Sequence, residues 1–110
     1  KMLSKIVSFL KNRRIRWYEP KRAALHEQCP CCDYLSLPER GADLICPICF
    51  WEDDGQDLDN VDVPSGPNHA ITLRQGRNNF HSFGACEKEM VKYVIPEHER
   101  SKFTHQPRHL

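Results

Sequence analysis

The chain has 110 residues, a mass of 12.9 kDa, a formal net charge of +1 and six cysteines. This length leaves room for one domain, and no run approaches the roughly 18 consecutive apolar residues of a membrane span. Hydrophobic residues make up 39% and aromatics 9%, below the ~45–50% apolar content of an ordinary globular domain, so a small core needs a disulfide, a metal or a partner to hold it.

The small net charge conceals two opposed segments. Residues 1–24 carry eight Lys or Arg against the single acid Glu19, whereas residues 43–62 carry seven acids and no base. Such segments attract each other within a fold or attract partners of opposite sign. In the basic segment Leu3, Ile6, Val7 and Leu10 share one helical face, which predicts a short amphipathic helix over 2–14. It docks its apolar stripe on the core, or lies on an anionic surface or nucleic acid. Lys5 interrupts the apolar run and Lys11–Arg16 follows it, so no export signal is read there, and a reducing cytoplasm is expected. Arg16-Trp17-Tyr18 reads as extended before Glu19-Pro20, and 21–28 as linker.

Two cysteine pairs follow. Tyr34-Leu35-Ser36-Leu37 alternates as a short strand should, Pro38–Gly41 is a turn, and Asp43-Leu44-Ile45 is a second short strand. Residues 52–68, rich in Asp, Gly, Pro and Asn, read as loop. Thr72 and Gln75 form a capping box, and Gly84 is placed to stop the helix they open, with Leu73, Phe80 and Phe83 on its buried side. Gly76 within that helix costs about 1 kcal/mol relative to Ala, which points to a close packing contact. A further short helix is expected over Glu87–Val94, ended by Pro96. The chain thus divides into a basic helix and linker (1–28), a cysteine-bearing domain (29–96) and a polar C-terminal tail (97–110).

Cys29-Pro30-Cys31-Cys32 and Cys46-Pro47-Ile48-Cys49 each contain C-P-x-C, with thirteen residues between Cys32 and Cys46. Two residues between thiolates let one tight turn present both sulfurs to one ion, and two such knuckles complete a tetrahedron. Cys29, Cys32, Cys46 and Cys49 are therefore the expected ligands of a structural Zn2+; iron fits the same thiolate cage. Disulfides would need export, and a thioredoxin-type pair would need a βαβ setting and would stand singly. The expected architecture is α+β: a small zinc-ribbon or rubredoxin-like pair of β-hairpins with flanking short helices.

Cys31 and Cys86 are left over. Cys86 reads as a small core residue, whereas Cys31, inside the first knuckle, is placed for a lowered pKa or for a swap into the site. His26 is a conceivable substitute ligand, although a solvated histidine is the plainer expectation. Asp57–Val61 lacks the oxygen ligand and glycine of a calcium loop. Asp53, Asp54, His69 and His81 are residue types for acid–base work, but no nucleophile–base–orienter set accompanies them, so no enzymatic activity is expected. Phe50 and Trp51 are expected to cover the metal site, and the acids after them to face solvent or a basic partner.

Cys29-Pro30-Cys31-Cys32, Cys46 to Gln56, Gly66-Pro67-Asn68-His69, Leu73 to Phe80 and Phe83-Gly84-Ala85-Cys86 occur in the order seen in the bacterial CPCC cysteine-rich protein family, which residues 29–86 resemble. Two positions depart from its pattern: Asp33 stands where glycine is usual and Gly76 where alanine is common. The resemblance implies no defined activity. It implies a small intracellular protein of toxin neighbourhoods, an immunity protein that binds and neutralises a cognate toxin; the acidic segment then offers Asp53, Asp54, Asp57 and Asp59 as partner-binding carboxylates. The alternative is a nucleic-acid-binding zinc ribbon that uses the basic segment with Trp17 and Tyr18.

Overall fold

The computed structural model describes residues 26–110. The helix expected over 2–14, the extended Arg16–Tyr18 piece and most of the linker lie outside the described residues.

The fold begins at the first knuckle. Strand β1 (Glu27–Gln28) enters it and strand β2 (Leu35–Leu37) leaves it, paired antiparallel with Glu27 opposite Leu37 and Gln28 opposite Leu35. The knuckle closes through two backbone bonds, Cys29 N to Tyr34 O at 2.8 Å and Asp33 N to Cys29 O at 2.9 Å. Asp33 adopts φ 65°, the left-handed conformation that lets the chain turn back after the second cysteine; among L-residues Asp tolerates it comparatively well.

The second knuckle repeats this geometry. Phe50 N donates to Cys46 O at 2.9 Å, and Phe50 takes φ 70°. The strand expected over Asp43–Ile45 is too short to form as such: only Ile45 and Glu52 make a bridge, and Asp43, Leu44 and Asp53 add two backbone bonds of 2.9 Å. The second hairpin is therefore a ladder of a few bonds that the knuckle holds together. The expected α+β architecture is present, with a two-stranded antiparallel sheet, short helices and a compact cysteine cluster compatible with a zinc-ribbon-like fold.

Within the acidic stretch the expected loop contains two 3-10 turns, Leu58–Asn60 and Gly66–Asn68. Asp57 and Asn60 form a capping box on the first. Asn68 is fully buried and uses its amide as a strand substitute, accepting from Glu52 N at 2.9 Å and donating to Glu52 O at 2.8 Å. Helix α1 (Leu73–Phe83) starts at the Thr72–Gln75 capping box and stops at Gly84, which has φ 88°. Its buried positions are Leu73, Gly76 and Arg77; Phe80 and Phe83 are only half-buried, contrary to the expected apolar face. The reason is the close approach of α1 to the first knuckle, which buries Gly76, as its place within the helix predicts, together with the ion-paired Arg77.

The segment expected to be helical over Glu87–Val94 is 3-10 over Lys88–Tyr93, with Met90 buried, and a second 3-10 stretch, Glu97–Lys102, follows Pro96. The polar residues beyond it are built into the sheet. Leu35 N donates to Thr104 O at 2.8 Å, Gln106 N to Asp33 O at 3.0 Å, and Tyr34 bridges His105 with the rings stacked 4.2 Å apart. Around the cysteines the core is Leu37, Ile45, Ile48, Trp51 and Leu73, all fully buried. No helix among the described residues is long and apolar enough to cross a membrane.

Candidate metal centre

Each knuckle presents its two sulfurs to the same point. The Sγ atoms of Cys29, Cys32, Cys46 and Cys49 all lie within 4.8 Å of one another. Cys29 and Cys49 are 3.6 Å apart and Cys32 and Cys46 are 3.7 Å apart. A tetrahedral ion with metal–sulfur bonds of about 2.3 Å needs sulfurs about 3.8 Å from one another, so the set fits one such ion. All six cysteines lie among the described residues, all are buried, and none is in a disulfide.

The surroundings favour charge on one sulfur in particular. Ile48 N donates to Cys46 Sγ at 3.3 Å, and the buried Ser36 hydroxyl lies 3.1 Å from the same sulfur. Burial pushes the thiols of Cys29, Cys32 and Cys49 well above their ordinary range. At Cys46 burial acts in the same direction, but hydrogen bonds from the other three cysteines and from Ser36 outweigh it and hold the thiol well below that range. Four buried sulfurs with one favoured charge want a cation, which displaces the remaining protons. Ser36 was not among the expected site residues. The alternation of Tyr34–Leu37 turns it inward, and only the knuckle opposite shows what it meets.

Both aromatics belong to the core that contains the cysteines: Trp51 is fully buried and Phe50 nearly so, stacked on Tyr93 at 5.3 Å. Gly76 is what admits Trp51. A Cβ there would sit 2.9 Å from Trp51 Cζ3 and 3.4 Å from Cys31 Sγ. Gly76→Val should therefore lower stability by about 2–3 kcal/mol through overpacking. The denaturant midpoint would show this, and an unchanged midpoint would mean that the ring has room to move.

Cys31 is buried against α1, and burial pushes its thiol up to about 12. In the folded protein Cys31 should react with iodoacetamide at least ~100-fold more slowly than a free cysteine, because the thiolate is scarce and inaccessible. Peptide mass mapping over a time course measures this. Cys86 is a fully buried core residue whose N–H donates to Cys49 O at 2.7 Å, tying α1's far end to the second knuckle. His26 is not solvated: it is 8% exposed, with its ring 6.1 Å from Phe103, and it stands outside the four-sulfur set.

The acidic residues are largely turned inward. Asp53 is fully buried, accepting from Arg40 Nε at 2.9 Å, Gly41 N at 2.8 Å and Gly55 N at 3.1 Å. Asp57 accepts from Arg40 Nη1 at 2.6 Å and Arg108 Nη1 at 3.1 Å. Asp54 takes the Ser65 hydroxyl at 3.1 Å, and of the four carboxylates expected to meet a partner, Asp59 alone is exposed. Asp53 and Asp57 therefore find their bases within residues 40–108, and Asp62 pairs with Arg74 at 2.8 Å. His69 pairs with Glu87 at 2.8 Å, and His81 lies exposed on α1.

Asp33 is the centre of an ionic cluster. Its carboxylate receives Arg77 Nη1 and Nη2 at 2.8 and 2.9 Å, Arg108 N at 2.7 Å and Arg108 Nε at 3.0 Å. Burial raises its pKa, but the two guanidiniums outweigh burial and hold it below the carboxylate range. A continuous chain of opposite charges, Arg77–Asp33–Arg108–Asp57–Arg40–Asp53, thus binds the first knuckle to α1, to the 104–108 segment and to the second hairpin.

A comparison with protein families matches residues 27–101, more than half of the chain, to the model described as cysteine-rich CPCC. No curated protein and no solved structure matches the chain.

Proposed function

The chain belongs to the cysteine-rich CPCC family, and from that premise we propose that it is a small zinc protein of the cytoplasm serving as a protein-binding module, an immunity protein directed at a cognate toxin. The observation that carries the metal reading is the set of four buried sulfurs at tetrahedral spacing. A closed thiolate set of this kind suits Zn2+, which supplies folding free energy there and keeps no open position for substrate. Persistent thiols suit a reducing compartment. The binding role draws on the rigid knuckle pair and on the exposed Asp59, which complements a basic partner surface and speeds its encounter.

Two measurements test this reading. Metal analysis of the purified chain should return one zinc per molecule; iron or no metal would refute the zinc assignment. Affinity capture with the zinc-loaded chain, from cells that encode it, should retain one basic protein in equal stoichiometry. Its binding should weaken in Asp59→Asn and lose part of its salt dependence. Absence of any stoichiometric partner would end the immunity reading. A second reading, nucleic-acid binding, draws on the basic 1–24 segment with Trp17 and Tyr18; oligonucleotide binding that falls steeply with salt would favour it instead.

A further inference from the structure

We propose that the edge of β2, with the Asp33 and Asp57 carboxylates beyond it, is a docking groove for an extended, arginine-bearing segment of a partner protein, a groove that residues 104–108 occupy in cis. The proposal deepens the protein-binding reading and rests on it for the existence of a partner.

The cis occupant displays the chemistry of the groove. It adds as a strand, through Leu35 N to Thr104 O at 2.8 Å and Gln106 N to Asp33 O at 3.0 Å. Gln28 Nε2 reaches Gln106 O at 2.7 Å, and the Tyr34 ring carries the His105 imidazole at 4.2 Å. Pro107, with no N–H to offer, follows the last of these ladder bonds. Arg108 then places its guanidinium between the two acids, with Nε 3.0 Å from Asp33 and Nη1 3.1 Å from Asp57, while its carbonyl accepts from Arg77 Nη2 at 2.9 Å. Affinity in such strand addition comes from the main chain and specificity from the side-chain anchors.

The same segment lies outside the core. Thr104, His105, Gln106 and Pro107 are all exposed and Arg108 is only half-buried, so none of the five fills the core. The apolar anchor that precedes them, Phe103, stays against His26. Departure of 104–108 exposes a strand edge, a tyrosine face and two carboxylates without opening the cysteine cluster. A competing segment must present an extended backbone with an arginine four residues after its first pairing residue, as Thr104 and Arg108 are spaced. A tethered competitor acts at an effective concentration in the millimolar range, so the groove is released mainly by weakening the cis contacts.

The test uses the full, metal-loaded chain and a fluorescein-labelled peptide copying Lys102–Leu110. Arg108→Ala in the full chain weakens its own segment, and the labelled peptide should then bind at least tenfold tighter than to the wild-type chain. A peptide whose arginine is replaced by alanine should lose at least tenfold. In the Arg108→Ala background, Asp57→Asn lies outside the knuckle and should weaken peptide binding at least fivefold; metal content and circular dichroism establish that each variant is folded. Equal binding to wild type and Arg108→Ala, or binding indifferent to the peptide's arginine, would overturn the groove. A concentration-dependent dimer of the wild-type chain, lost in Arg108→Ala, would assign the edge to a second copy and overturn the partner assignment. Because the peptide assay needs no captured toxin, failure of the groove is distinguishable from failure of the immunity reading.

Discussion

Chelation of the metal is expected to unfold residues 29–52 and, with them, the rest of the described fold. The core residues that are fully buried cluster around the knuckles: Cys29, Cys46, Cys49, Ile45, Ile48, Trp51 and Cys86 all have no exposure. Among the described residues, what remains without the ion is a sheet of two- and three-residue strands, short 3-10 stretches and one α-helix of 11 residues, and an isolated helix of that length is marginal in water. Structural zinc contributes about 10–16 kcal/mol at neutral pH, which equals or exceeds the whole stability of a typical domain, about 5–15 kcal/mol. Loss of far-ultraviolet dichroism on chelation, reversed by added zinc, is the expected result. Cys46→Ser should reproduce it, since Cys46 is the sulfur that Ser36 and the Ile48 N–H support. A spectrum unchanged after verified metal removal would show that packing alone holds the knuckles.

The second large effect is expected at Asp33. Asp33→Gly would suit the backbone, whose φ of 65° glycine adopts freely, yet it should lower stability by about 3–5 kcal/mol. The substitution strands Arg77, whose side chain is 5% exposed, and an uncompensated buried charge is the costly outcome when one partner of a buried pair is removed. Arg77→Leu added to Asp33→Gly should recover a large part of the loss, because both charges are then gone. Denaturant melts of the three variants measure this. If Asp33→Gly proves neutral, the ion pair contributes only geometry. Acid should act in the same direction. The Asp33 and Asp57 carboxyls are held below the ordinary value of 3.8, so their contribution is fully present above that value and is lost as pH falls toward their folded values.

How much of this was legible depended on the distance between the groups concerned. The four sulfurs were readable because each C-P-x-C pair forms its own turn, closed by bonds such as Phe50 N to Cys46 O. The limits of α1 were readable for the same reason: Thr72, Gln75 and Gly84 satisfy backbone groups within one turn of themselves. The Asp43–Ile45 strand failed because alternation over three residues does not supply a partner, and only a single bridge forms. Phe50 gave no sign of its left-handed conformation, since nothing local favours it in a bulky residue; the repeated knuckle imposes it and the stack with Tyr93 accompanies it.

The sequence by itself determined which cysteines form the two knuckles and where α1 starts and stops, both of which rest on bonds closed within a few residues. The tertiary structure decided where the charges go. Seven acids without a local base read as a surface for a partner, yet Asp53 and Asp57 are taken by Arg40 and Arg108. Asp33 read only as a departure from the usual glycine, yet Arg77 and Arg108 reach it across 44 and 75 positions of sequence. Coulombic attraction has no periodicity along a chain, and which opposite charges meet is set by how the knuckles, α1 and the 104–108 segment pack.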